Sequence, residues 1–238
     1  MEIKKNEYLI NIIAKAFMNE ADRLMREEYS NIFTPELLEQ LSFEYIASTD
    51  MLEFMKRVLS CNKKMFSIDE LMNMMMSNTQ TTCFWAGYIG KVTNDDRYVL
   101  DKIYIQFNTT KLAETIANFI GNLDVFIEYS KITARHEVGH LIDYVTNFHN
   151  VPYEKYKSIV NQYDTALVDY NKRRGEALVN ETDQNKIIDI CRHYTQEYLN
   201  LPSESAANMY GCVDIEKLSE LSIEITRPCD VIIERISD

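Results

Sequence analysis

Two of the four histidines, His136 and His140, stand four residues apart in T-A-R-H-E-V-G-H-L-I-D-Y-V, with Glu137 directly after the first. On a helix this spacing puts both imidazoles on one face, one turn apart, so that they can converge on a single cation at about 2.0–2.1 Å each. Glu137 is offset by one position. A carboxylate beside the ligands can hydrogen-bond a water on the cation without taking the position that the water needs, and can then serve as its general base. Chance supplies H-E-x-x-H on the order of 0.006 times in a chain of this composition, which weighs against accidental spacing on a metal-free helix. Gly139, inside the same helix, costs ~1 kcal/mol relative to alanine and suggests close approach by another backbone or by a ligand.

Two histidines leave a catalytic zinc site one ligand short. Asp143 shares the helix face, but from residue 136 the axis has advanced by about 10.5 Å, too far for one ion. Asp143 is therefore expected behind the ligands, holding a histidine or a neighbouring helix. In P-S-E-S-A-A-N a helix entered through Pro202 places Glu204 and Asn208 one turn apart. Glu204 is the expected third ligand, and Asn208 is expected to accept a hydrogen bond from the far ring nitrogen of a ligating histidine. Ala206 and Ala207 are small enough to let this helix press on the motif helix. Without a metal, Glu204 would be a carboxylate stabilised by the helix dipole.

H-E-V-G-H at 136–140 followed by E-S-A-A-N at 204–208 resembles the gluzincin branch of the zincin metallopeptidases, in which H-E-x-x-H is joined by a glutamate from a second helix, often as E-x-x-x-D. The resemblance implies a Zn2+ cofactor, His136, His140 and Glu204 as its ligands, Glu137 as general base, and a peptide or protein substrate. Asn208 stands where aspartate is common, so its orienting hydrogen bond would be neutral. The resemblance rests on these two short motifs and covers little else of the chain. Asp143 and Thr146 occupy the positions where the metzincin extension needs glycine and histidine, which sets that branch aside. Zincins present an edge strand above the motif helix, where an extended peptide pairs, and the 97–107 run is its expected source. For the developing oxyanion, Tyr144, His193, Tyr198 and Tyr210 are available donors, and the sequence singles out none.

The elements that must position these groups read as mostly helical. Residues 2–29 form one amphipathic helical pattern. Shorter helices are expected from Thr34–Pro35, from Thr49–Asp50 and from Ser67 with Glu70, and the Met-rich L-M-N-M-M-M at 71–76 reads as adaptable core filler. Aromatic and β-branched runs flanking T-N-D-D predict a β-hairpin over about 83–108. A helix ending at Gly121 follows, then the motif helix from about 130 to Phe148, stopped by Asn150 and Pro152. V-F-I-E-Y before it is a short strand or that helix's first turn. Two polar-faced helices fill 153–200 with a break near 180–183, His193 and Glu197 form a solvated surface pair, and His149 compensates a helix C-terminus. The tail D-V-I-I-E-R-I adds a late strand. The expected class is α+β and predominantly helical: a zincin-like part with a small sheet or hairpin over 81–238, and an N-terminal helical part over 1–80, in two domains or one.

Composition bounds the function. With 37 acidic against 25 basic side chains, a net charge of −12 repels nucleic-acid phosphates and anionic lipid, so neither is an expected partner. Five scattered cysteines without a C-x-x-C pair argue against a disulfide framework. No secretory signal or membrane-length apolar run occurs, which makes the cytoplasm the default compartment and leaves export by a non-classical route open. The expectation is a zinc metallopeptidase; its alternative is a catalytically silent zincin-like protein, phage-type or regulatory, with a structural metal.

Overall fold

A computed structural model describes residues 2–48, 83–118, 122–179 and 181–226. Helix α1 (Glu2–Arg23) runs into a π-helical turn, Leu24–Glu28, and is followed by α2 (Pro35–Leu41) and strand β1 (Phe43–Ser48). The hairpin strands β2 (Phe84–Val92) and β3 (Arg97–Asn108) lead into α3 (Thr109–Asn118) and the motif helix α4 (Leu123–Asn147). After the short β4 (Val151–Pro152) come α5 (Tyr153–Leu178), α6 (Gln184–Leu199), α7 (Pro202–Tyr210) and α8 (Ile215–Thr226). The fold is α+β and predominantly helical, with one small mixed sheet, as expected.

Caps set the helix starts. The Thr34 side chain accepts from Leu37 N ahead of Pro35, Asn122 accepts from Asp124 N, and Asp183 accepts from Asn185 N and Lys186 N, each satisfying an amide that the first turn leaves unpaired. The hairpin turns where T-N-D-D places it: Thr93 N donates to Arg97 O, and Asp96 adopts a left-handed conformation at φ 59°.

In the sheet the order is β1-β3-β2. β1 runs parallel to β3, β2 antiparallel, and β4 pairs with the start of β3 at Arg97 and Tyr98. Two expectations change here. The N-terminal part is not wholly helical, because Phe43–Ser48 is a strand whose partner lies some sixty residues downstream, and local pattern does not report such pairing. The 97–107 run is not the edge strand; β3 is paired on both sides, and β2 is the strand packed on the motif helix.

Ile13, Phe17 and Ala21 of α1 and Leu24 of the π-helical turn are fully buried in the same cluster as Phe84 and Phe107 of the sheet and Ala134, Val138 and Leu141 of α4. The Phe17 ring stacks on Phe84 at 4.3 Å and meets Phe107 edge-on at 5.4 Å. α1 is therefore part of the floor under the motif helix. V-F-I-E-Y belongs to α4, which starts at Leu123 rather than near 130, and α8 is a helix that the sequence pattern had not indicated. The helices expected from Thr49 and Ser67, the Met-rich run, Gly121 and the 230–236 tail lie outside the described residues. No helix among the described residues is long and apolar enough to cross a membrane.

Candidate metal centre

Two glycines join the halves of the centre. A Cβ on Gly139 of α4 would overlap the carbonyl of Ala207, and one on Gly211, at the end of α7, would overlap the carbonyl of Arg135. The two helices thus touch backbone to backbone, which answers the question Gly139 raised: the close neighbour is a second helix. Ala207 is fully buried at this contact.

That contact carries Glu204 to the histidines. Its Oε2 lies 3.0 Å from His136 Nε2 and 3.6 Å from His140 Nε2. The three ligating atoms fall within 4.8 Å of one another, and all three side chains are buried, so they form a group that could hold a metal ion. Donors on a tetrahedral zinc with ordinary bond lengths stand roughly 3.3 Å apart, and the two observed spacings bracket that value. Two imidazoles and one carboxylate are also a donor set that suits such a cation. Among the described residues no fourth histidine, cysteine or carboxylate joins the group.

The surroundings orient these side chains. Asn208 Oδ1 lies 2.8 Å from His136 Nδ1, and Asn208 Nδ2 donates to the Leu199 carbonyl at 3.1 Å, both bonds being buried. Burial alone would lower the His136 pKa, but the Glu204 hydrogen bond and the Glu137 and Glu204 charges outweigh it and raise the ring to about 9. Glu204 shows the mirror effect: burial opposes its charge, and His140 and His136 still hold it well below the usual carboxylate range. His140 packs on Tyr144 with near-parallel rings 6.0 Å apart, and its buried Nδ1 has no hydrogen-bond partner among the described residues.

Glu137 is buried beside the group without belonging to it. Ala86 N–H donates to its Oε2 at 2.7 Å. The hairpin register explains that bond. Asn108 N donates to Cys83 O, so Phe84, Ala86 and Tyr88 fall at the non-hydrogen-bonded positions of the β2–β3 pair and turn their main-chain groups away from β3. Glu137 takes one of these outward groups, and the Tyr144 hydroxyl reaches the Ala86 carbonyl at 3.5 Å. Burial raises the Glu137 pKa, opposed by His136 and His140.

Asp143 is fully buried but is not a ligand. Its oxygens accept from Asn147 Nδ2 at 2.8 Å and from the Tyr163 hydroxyl at 3.0 Å, tying α4 to α5. Of the expected oxyanion donors, two pack beside the group: Tyr144 against His140, and Tyr198, whose phenol lies against Glu204. Tyr210 accepts from Asn147, and His193 is an exposed partner of Glu197 at 3.8 Å. His149 does not cap α4; its Nδ1 accepts from Leu100 N of β3 at 3.3 Å. Sequence reasoning missed the Ala86 amide and the Leu199 carbonyl, because main-chain groups leave no residue-type signal, and it missed Tyr163, one tyrosine among 15. The hairpin register was the one clue that could have pointed to Ala86.

In comparisons with known proteins, no family model, no curated protein and no solved structure matches the chain.

Proposed function

We propose that the chain is a zinc-dependent peptidase in which His136, His140 and Glu204 hold the metal and Glu137 is the general base. One observation carries this reading: three donors converge, and a second buried carboxylate, Glu137, faces them without joining them. Structural zinc sites are closed by four protein ligands, whereas catalytic sites keep one position open. When bound, zinc supplies Lewis acidity that polarises a peptide carbonyl and makes water a better nucleophile.

The chain's own groups do the rest. Ala86 N–H occupies Glu137 Oε2, which leaves Oε1 to take a proton from the attacking water and to return it to the leaving amine. A pKa raised by burial suits both halves of that exchange, since the base must also become an acid. Zincin-like strand addition moves from the 97–107 run to β2, where the main-chain groups of Phe84 and Tyr88, flanking Ala86, face outward to pair with an extended peptide.

The discriminating variant is E137Q. It keeps shape and the Ala86 bond but removes the base, so zinc content and melting temperature stay at wild-type values while hydrolysis of a mixed peptide library falls by ~10²–10⁴-fold. Hydrolysis at the wild-type rate refutes the role of Glu137. No hydrolysis by zinc-loaded wild type over a broad peptide library favours a structural metal instead.

A further inference from the structure

The motif helix takes both outward main-chain groups of Ala86, and it does so with two different kinds of side chain. Glu137 accepts the N–H at 2.7 Å, and the Tyr144 hydroxyl donates to the carbonyl at 3.5 Å. The first bond is short. The second lies well beyond the ~2.7–2.8 Å usual for an O–H donor, so the phenol proton is loosely held. The ring itself is fixed. Tyr144 stands one turn past His140 on the same face of α4. Its ring lies near-parallel to His140 at 6.0 Å and to Phe148 at 5.5 Å, and tilts against Tyr88 at 4.6 Å. It nevertheless stays partly exposed, and the charges that act on it most strongly are those of Glu137, Asp143 and Glu204. A rigid phenol thus stands beside the base with a hydroxyl that can turn. The other candidate donors have partners of their own: Tyr198 bonds Glu204, Tyr210 accepts from Asn147, and His193 pairs with Glu197 on the surface.

We propose that Tyr144 is a catalytic residue whose hydroxyl turns from the Ala86 carbonyl to the oxyanion of the peptide bond under attack. The inference rests on the peptidase reading and deepens it. As water adds to the peptide carbonyl, Glu137 takes the water's proton, the carbon becomes tetrahedral and its oxygen carries the charge. The Tyr144 O–H stabilises that oxygen by a hydrogen bond and keeps its own proton. Rotation about the phenol C–O bond is enough, so the ring stack stays in place. The same turn frees the Ala86 carbonyl, which then accepts an N–H of the leaving amine. When the C–N bond breaks, Glu137 passes its proton to the amine nitrogen, the oxyanion becomes the carbonyl oxygen of the new carboxyl group, and the hydroxyl returns to Ala86. Ala86 therefore holds the base and the donor at rest, and the leaving group during the reaction.

The test compares zinc-loaded, full-length wild type, Y144F and Y198F on one peptide that wild type cleaves. Y144F keeps the stacked ring and loses only the hydroxyl, so its zinc content and melting temperature match wild type while kcat falls by about 10²–10³-fold, with KM changed less than about twofold. Binding supplies a second readout. A phosphinate analogue of the same peptide, whose oxygens stand in for the tetrahedral oxyanion, binds Y144F more weakly by the factor lost in kcat/KM. A reduced peptide, with CH2 in place of the scissile carbonyl, binds both proteins alike. A structural role would instead move zinc content, melting temperature and the affinity for both peptides together, and that result overturns the proposal. So does a Y144F kcat within about threefold of wild type, or a loss carried by Y198F in its place. Wild type that hydrolyses no peptide refutes the peptidase reading itself, whereas active wild type beside equally active Y144F refutes the role of Tyr144 alone.

Discussion

Glu137 and Asp143 are buried carboxylates on one helix, and their partners separate their roles. Glu137 receives one main-chain N–H and faces two imidazoles; Asp143 receives two side-chain donors that belong to structural contacts. Burial raises the Asp143 pKa, against the pull of Asn147 and Tyr163. A carboxyl with a raised folded pKa contributes stability that is complete below its unfolded value, about 4, and is lost as pH rises through the folded value. D143N should therefore gain in melting temperature over wild type as pH rises from about 4 toward neutrality, with zinc retained. Paired thermal melts across that range check it, and a constant difference would mean that the charge carries no cost. At this scale the sequence was most legible for His136, Glu137, His140, Glu204 and Asn208, because helical periodicity converts spacing directly into shared faces. The Ala86 amide depends on strand register and was out of reach.

The contact between α4 and α7 depends on the absence of two side chains, and glycine substitutions separate its role from general helix propensity. G139A drives a Cβ into the Ala207 carbonyl, and overpacking of main chain against main chain costs about 1–3 kcal/mol or more. Because the displaced helix carries Glu204, zinc affinity should fall together with melting temperature. G175A is the control: it sits in α5 with nothing near its Cβ, and should stabilise by roughly 0.5–1 kcal/mol without affecting zinc. Calorimetry with zinc titration reads both. A G139A protein with wild-type affinity would mean that the helices can separate without moving Glu204. Element type was legible wherever caps and periodicity agree, as at Thr34, Asp183 and the T-N-D-D turn. Pairing was not: β1 joins β3 across a long stretch of chain, and the exchange of edge and interior roles between β2 and β3 depends on that distant partner.

In the whole molecule, one core joins the N-terminal helix to the sheet and the motif helix. Ile13 and Phe17 are fully buried, and burying such side chains is worth about 1.5–3 kcal/mol each against a total stability of about 5–15 kcal/mol. Deleting residues 1–23 should abolish the cooperative melt. A truncated chain that still melts cooperatively would mean that the rest of the core holds without this helix. The most direct test of the central claim is the metal content of full-length protein purified without added metal, beside E204A. The account predicts close to one zinc per wild-type chain, a strong loss in E204A, and a wild-type stability that rises with free zinc by about 2.7 kcal/mol at a hundredfold excess over Kd. Wild type with negligible zinc and a melting temperature that does not respond to added zinc would contradict it.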